Sequence, residues 1–332
     1  MTKAAVMGSG SWGTAFAAIM ADAGTQVSLW CRRFEVAEEI AATRRNSAYL
    51  PDLVLPDLVD ATNDAQEALA GAEIVVVAIP AQEVRTALAA WLPFLEEGAL
   101  LVSLMKGIEQ DTGLRMSQVI GQVAGVEDAR LVVISGPNLA KEIAARQPAA
   151  AVVASTSPRA RARVAEACAA PYFRPYLGAD VIGIEIAGAT KNVIGIAVGM
   201  AAGMGMGENT VASLLTRGLA ETVRLGVALG ADSQTFLGLA GVGDLVATCT
   251  SPLSRNRSFG FELGRGRSVQ DVLATSHSTV EGVKSCRSIL QLAREADVDA
   301  PIVENIVSVL YEDRDPREVL GAFMSRTRKH EI

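Results

Sequence analysis

Residues 3–13, Lys3-Ala4-Ala5-Val6-Met7-Gly8-Ser9-Gly10-Ser11-Trp12-Gly13, decide the fold of this chain. An apolar run at 4–7 reads as a buried strand, and a helical pattern follows at 14–23. Between them the glycines stand in the spacing GxGxxG. At a strand-to-helix junction each glycine does something different. Gly8 allows the tight turn, Gly10 lets the backbone approach a pyrophosphate, and Gly13 lets helix pack on strand. The helix start then offers free N–H groups to the phosphates, with Ser11 and Trp12 beside them. The other reading is a glycine-rich turn with no ligand, against which the strand–turn–helix context speaks.

The next strand, 27–30, selects the dinucleotide. Sites for NAD(H) usually carry Asp or Glu there, about 20 residues beyond the glycines, to bond the ribose 2′-OH. Here the strand runs into Cys31-Arg32-Arg33, with no acid before Glu35. Cations at that place suit a 2′-phosphate, so NADP(H) is expected to be preferred and NAD(H) tolerated. Two solvated arginines opening a helix are the competing account.

Further apolar runs at 74–79, 100–104, 131–134 and 150–154 read as more buried parallel strands, with helical stretches at 34–42, 83–91 and 114–123 between them. After about residue 180 strand signals stop. Helices are expected at 183–204, 208–229, 255–263, 283–296 and 302–311, the last opened by Pro301. The fold class is therefore α/β. A Rossmann-like doubly wound sheet, 1–180, is expected to bind dinucleotide, and an all-helical C-terminal domain, 181–332, is expected to follow it. Gly195, Gly199, Gly203 and Gly207 recur every fourth residue, a bare helical stripe that admits another backbone; for the last two, a frayed helix end serves as well.

The 332 residues suit about two domains. Half are apolar and 20% charged, a globular composition. The net charge is -7, with no basic stripe, which argues against nucleic acid as the main partner. Four separated cysteines, Cys31, Cys168, Cys249 and Cys286, support neither a metal site nor a disulfide framework, and fit reduced thiols in the cytoplasm. The chain opens directly on a strand pattern, so no signal peptide is expected. The stretch 181–206 is long and apolar, yet Glu185, Lys191 and Asn192 inside it favour a buried core helix over membrane insertion.

Only His277 and His330 occur, so acid–base chemistry falls to other residues. Ligands of open α/β sheets bind beyond the strands' carboxyl ends. Lys106 follows one strand and Ser135-Gly136-Pro137-Asn138 another; Asn138 is equally an ordinary N-cap. Lys191 lies within a long apolar helix. A lysine with a depressed pKa can donate and accept protons near neutrality; snorkelling, or pairing with Glu185, is the bland reading. Gly241-Val242-Gly243-Asp244 presents an Asp on what is otherwise just a turn. Ser254-Arg255-Asn256-Arg257 offers guanidinium forks, an amide and helix N–H groups, either a phosphate cradle or a solvated helix start.

Together these motifs resemble the bacterial-type NAD(P)-dependent glycerol-3-phosphate dehydrogenase family. The resemblance covers nearly the whole chain. It rests on 8–15, Met105-Lys106-Gly107, Ser135-Gly136-Pro137 with Ala140-Lys141-Glu142, 185–193, Thr216-Arg217-Gly218, 238–245 and 254–257. It implies exchange of hydride between NAD(P)H and dihydroxyacetone phosphate, giving sn-glycerol 3-phosphate for phospholipid synthesis. By matching motif, Lys191 is the implied proton donor and acceptor. Lys106, Gly136, Asp244, Ser254, Arg255 and Asn256 are the other implied substrate-site residues. Ser11, Trp12, Arg32, Ala140 and Glu281 are implied cofactor contacts, beside Gly8, Gly10, Gly13, Arg33, Lys106 and Arg255. At Asn138 the chain departs from the family, which usually has a small hydroxyl residue there. Two other readings remain: the same plan with a 2-hydroxy acid, 6-phosphogluconate or ketopantoate as substrate, and a dinucleotide-sensing module without catalysis. A homodimer is expected.

Overall fold

The computed structural model describes residues 1–275 and 279–319. His277, His330 and the expected C-terminal end of the helical domain lie outside them. The first part alternates strand and helix: β1 Lys3–Met7, α1 Ser11–Asp22, β2 Gln26–Trp30, α2 Phe34–Thr43, β3 Val59–Thr62, α3 Ala65–Leu69, β4 Ile74–Val77, α4 Val84–Trp91, β5 Leu100–Ser103, α5 Met116–Ala124, β6 Leu131–Ser135, α6 Ala140–Ala144, β7 Ala149–Ala154, α7 Pro158–Ala167 and β8 Phe173–Gly178. They form one eight-stranded sheet in the order β3-β2-β1-β4-β5-β6-β7-β8. The chain order reverses at β1, whose flanks are β2 and β4, and that reversal opens a crevice at the strands' carboxyl ends. β1 sits in register with both neighbours, Val6 opposite Leu29 and Val76.

The central strands are buried because they are continuously apolar; all four residues of β4, Ile-Val-Val-Val, are buried. One face of the sheet packs under α1 through Phe16, Ile19 and Met20, and the other under α4 and α5 through Leu88, Trp91, Val119 and Ile120.

Three sheet expectations are corrected. β7 is antiparallel to β6, where a parallel strand was expected. A buried apolar run marks a strand but does not encode its direction, so the pattern at 150–154 could not tell parallel from antiparallel. β3 and β8 were not foreseen. β3 is four residues with exposed Asp60, and β8 carries Pro175 and exposed Tyr176 and Leu177, so neither shows a continuous apolar run.

Beyond β8 the described residues hold helices only: α8 Val181–Gly203, α9 Glu208–Ala228, α10 Asp244–Thr250, α11 Arg255–Gly264, α12 Val269–Thr275, α13 Glu281–Glu295 and α14 Pro301–Tyr311. α8 starts where the Asp180 carboxylate accepts from the Gly183 N–H. It is long and apolar enough to cross a membrane, but it is the core of this region, buried almost end to end among its neighbours.

The glycine stripe explains the closest helix crossing. A Cβ built at Gly199 would fall 2.1 Å from the Arg257 carbonyl oxygen, and one at Gly203 2.1 Å from that of Phe261. α11 returns the arrangement: a Cβ at Gly260 would fall 2.1 Å from the Ile196 carbonyl oxygen. Two backbones thus touch directly, which fixes the start of α11 over the middle of α8. Gly207 takes no part and merely caps α9.

Candidate active site

A cavity of about 690 Å³ lies across the carboxyl ends of β1, β2, β4 and β5, closed on its other side by α8, α10 and α11. One end is walled by Gly8–Gly13, and the other by Lys106, Lys191, Asn192, Arg255 and Asn256.

The glycine-rich wall fits a dinucleotide. Gly8 has φ +132°, and a Cβ there would fall 2.4 Å from the Ala78 carbonyl oxygen. A Cβ at Gly13 would fall 1.9 Å from the Gly8 carbonyl oxygen, whereas Gly10 faces open space, room for a phosphate to approach the backbone. α1 begins at Ser11, so its first N–H groups, which no helical carbonyl can reach, stand at the cavity. The Trp12 indole Nε1 is buried there without a protein partner. Buried Asn46 braces the turn from behind, its Nδ2 donating to the Ser9 carbonyl at 2.8 Å and to Thr14 Oγ1 at 2.9 Å.

Farther along, Arg32 and Arg33 line the cavity together with Tyr49. Arg32 Nη1 is 3.0 Å from Glu83 Oε2, and both side chains are largely exposed.

At the inner end two lysines share one carboxylate. Lys191 Nζ donates to Asp244 Oδ1 and to Thr248 Oγ1, both at 2.7 Å. Lys106 Nζ donates to Asp244 Oδ2 at 2.6 Å and to the Gly136 carbonyl at 2.9 Å. Asp244 is 1% and Lys191 8% exposed, so these charges act with little screening by water. Local structure sets the cluster up. A single π-helical turn, Leu239–Gly243, feeds Asp244 into the first position of α10, and Thr248 stands one turn on along the same helix face. Two ammoniums against one carboxylate leave one net positive charge, which suits an oxygen that gains negative charge. Burial pushes the Lys106 pKa down to about 8, opposed by the Asp244 carboxylate and assisted by the charge of Lys191.

Pairing of Lys191 with Glu185 is thereby set aside. Glu185 turns the other way, where it accepts from Arg115 Nη1 at 2.5 Å, Ser117 N at 2.7 Å and Ser117 Oγ at 2.6 Å.

Asn192 ties the surroundings together. Its Nδ2 donates to the Lys106 carbonyl at 3.3 Å, and its Oδ1 accepts from Asn256 Nδ2 at 2.9 Å. Asn256 Oδ1 in turn accepts from the Gly282 N–H at 3.0 Å. Ser254 caps α11, its Oγ accepting from the Arg257 N–H at 3.3 Å. That leaves Arg255 at the cavity wall. Glu281 also lines the wall with Oε2 buried and unpartnered; burial raises its carboxyl pKa, and Arg255 works against that rise.

Of the residues expected from sequence, Gly136, Asn138, Ala140 and Asp244 are not on the wall itself. Gly136 reaches the wall through Lys106, and Asp244 through both Lys106 and Lys191. Ala140 packs on the sheet core at the start of α6, and both polar atoms of the Asn138 amide are buried without a partner. The expected residues on the wall are Gly8, Gly10, Ser11, Trp12, Gly13, Arg32, Arg33, Lys106, Lys191, Ser254, Arg255, Asn256 and Glu281. Sequence reasoning gave no role to Tyr49, Glu83, Asn192 and Thr248, which also line the cavity. For Thr248 the signal was its i+4 spacing from Asp244; for Asn192 it was adjacency to Lys191 within one motif.

With this geometry in hand, comparisons with known proteins agree along the chain's length. The N-terminus of NAD-dependent glycerol-3-phosphate dehydrogenase matches residues 3–161 and its C-terminus matches residues 180–321. A glycerol-3-phosphate dehydrogenase [NAD(P)+] of Streptomyces griseus is 57% identical over 329 residues, 99% of this chain and 98% of the relative. One of Thermobifida fusca is 57% identical over 332 residues, 100% of this chain and 99% of the relative. The crystal structure of glycerol-3-phosphate dehydrogenase from Coxiella burnetii superposes with a TM-score of 0.93 at 32% identity, over 98% of this chain and 99% of that one.

Proposed function

The chain belongs to the NAD-dependent glycerol-3-phosphate dehydrogenase family, and from that membership we propose its reaction: interconversion of dihydroxyacetone phosphate and sn-glycerol 3-phosphate with NAD(P)H, on a site centred on Lys191. The observation that carries the site is the shared carboxylate, with Lys191 and Lys106 held at 2.7 and 2.6 Å from the two oxygens of Asp244.

NAD(P)H, when bound, would supply the hydride; Gly8, Gly10, Ser11, Trp12 and Gly13 would hold its pyrophosphate, and Arg32 and Arg33 its ribose end. An ammonium has three N–H groups. Lys191 commits two, to Asp244 and Thr248, and the third is free to bond the substrate carbonyl oxygen. As that oxygen becomes an alkoxide, Lys191 gives it the proton. Asp244 keeps Lys191 aimed and stabilises its charged form, and Lys106 adds a second positive charge beside the oxygen. Arg255, Asn256 and the first N–H groups of α11 receive the phosphate, and the hydrogen bond between Asn256 and Asn192 fixes the register between phosphate and proton donor. In the reverse direction Lys191 accepts the alcohol's proton. Glu281 and Ala140 complete the cofactor side, and Gly136 and Asn138 the substrate side.

The same reading has a dinucleotide-binding part at 1–180 and a helical part at 181–332, supported by the last strand ending at Gly178 and α8 beginning at Val181. It has NADPH preferred over NADH, supported by the cations after β2. It places the protein in the cytoplasm as a homodimer, supported by four buried free thiols and by exposed Tyr176, Leu177 and Leu237. The product feeds phospholipid synthesis.

Oxidation of NADPH and of NADH, with and without dihydroxyacetone phosphate, tests this. Turnover with dihydroxyacetone phosphate should far exceed that with dihydroxyacetone, ketopantoate or a 2-oxo acid. Faster turnover of ketopantoate would move the substrate assignment, and cofactor binding without any turnover would return the chain to a sensing role.

A further inference from the structure

We propose that Glu83 is a specificity-determining residue that keeps NADH usable and holds back NADPH. This rests on the proposed reaction, in which Arg32 faces the 2′-phosphate.

The end of β2 lacks the acid that usually bonds a ribose 2′-OH. Glu83 supplies one from elsewhere. It lies just before α4, on the connection that follows β4, and β4 and β2 flank β1 on its two sides. Glu83 and Arg32 therefore reach toward each other past the end of β1, and both line the cavity. Their ion pair, Nη1 to Oε2, measures 3.0 Å. The side chains are 73% (Arg32) and 50% (Glu83) exposed, so water screens the pair and neither partner is locked in place.

The two cofactors differ only at this point, and the pair treats them oppositely. A ribose 2′-OH can donate to the Glu83 carboxylate and accept from Arg32, so both partners serve it. A 2′-phosphate carries nearly two negative charges and offers chiefly acceptors. Arg32 must then turn its fork from Glu83 to the phosphate, and the Glu83 carboxylate left nearby repels it. Arg32 alone would favour NADPH strongly; Glu83 reduces the preference.

Glu83→Gln keeps the shape and removes the charge. It should raise kcat/KM for NADPH and lower it for NADH, so that the NADPH/NADH ratio climbs on the order of tenfold at low salt. Because the groups are exposed, the shift should shrink several-fold in roughly 0.5 M salt, where the screening length is only a few ångströms. Arg32→Gln in parallel separates the two claims. If Arg32→Gln leaves the ratio unchanged, the placement of Arg32 itself is wrong. If Arg32→Gln lowers the ratio but Glu83→Gln leaves it unchanged or lowers it, only the role of Glu83 is overturned. A Glu83→Gln shift undiminished by salt would also overturn it, since shape rather than charge would then be the cause.

Discussion

The two ends of the cavity hold charge in opposite ways. At the inner end Lys191 and Asp244 are 8% and 1% exposed, and both ion pairs that join Lys191 and Lys106 to Asp244 are 2.7 Å or shorter. At the outer end Arg32 and Glu83 form one 3.0 Å contact between largely exposed side chains. Charges withdrawn from water interact strongly and cannot rearrange cheaply, while those left in water interact weakly and can be exchanged. The inner end is built for chemistry with one geometry. The outer end, on the proposed reading, can accept two cofactors.

The sharpest break of this contrast is Asp244→Asn. It leaves the buried Lys191 and the part-buried Lys106 ammoniums facing each other with no carboxylate between them. Breaking a buried pair in this way typically costs about 3–5 kcal/mol. We expect kcat to fall roughly a hundredfold to a thousandfold in protein confirmed to be folded. Loss below about tenfold would mean that the cluster is less buried in function than in structure.

Arg255→Ala probes the wall between the two ends. A charge-assisted hydrogen bond to phosphate is worth about 1.5–3 kcal/mol, so KM for dihydroxyacetone phosphate should rise roughly ten- to a hundredfold, and that for unphosphorylated dihydroxyacetone far less. Equal losses on both substrates would make Arg255 structural.

The mildest test is pH. Burial holds the Lys106 pKa down at about 8, so the cluster sheds a proton in the mildly alkaline range and its net positive charge disappears. Reduction draws on that positive charge beside the growing alkoxide, so kcat/KM for reduction should decline by up to about tenfold per pH unit above roughly pH 8. The apparent value belongs to the three coupled groups together. A profile flat to about pH 10 would contradict it.

The N-terminal α/β part is legible in the sequence because its signals are local. Continuous apolar strands and the spacing of Gly8, Gly10 and Gly13 need no partner to be read. The direction of β7 was not legible because a buried apolar run carries no sign of direction, and the pairing with β6 is antiparallel. β3 and β8 were missed because they form the two edges of the sheet with polar or proline-bearing sequences. At the inner site the lysines and Asp244 could be named from their motifs, but not joined: Lys191 and Asp244 are 53 residues apart and Lys106 and Asp244 138. Glu83 carried no signal at all, since its meaning comes from Arg32, 51 residues away across β1.

Lys191 as the proton donor is the central claim, and one pair of measurements tests it: kcat and NADPH Kd for Lys191→Ala, with Lys191→Arg beside it, each shown to be folded. Lys191→Ala should lose roughly a hundred- to ten-thousandfold in kcat while NADPH Kd barely moves, because the glycine-rich turn is bonded to other residues. Lys191→Arg should recover little, because a guanidinium does not release its proton near neutrality. A Lys191→Ala enzyme that keeps more than about a tenth of the kcat would contradict the assignment.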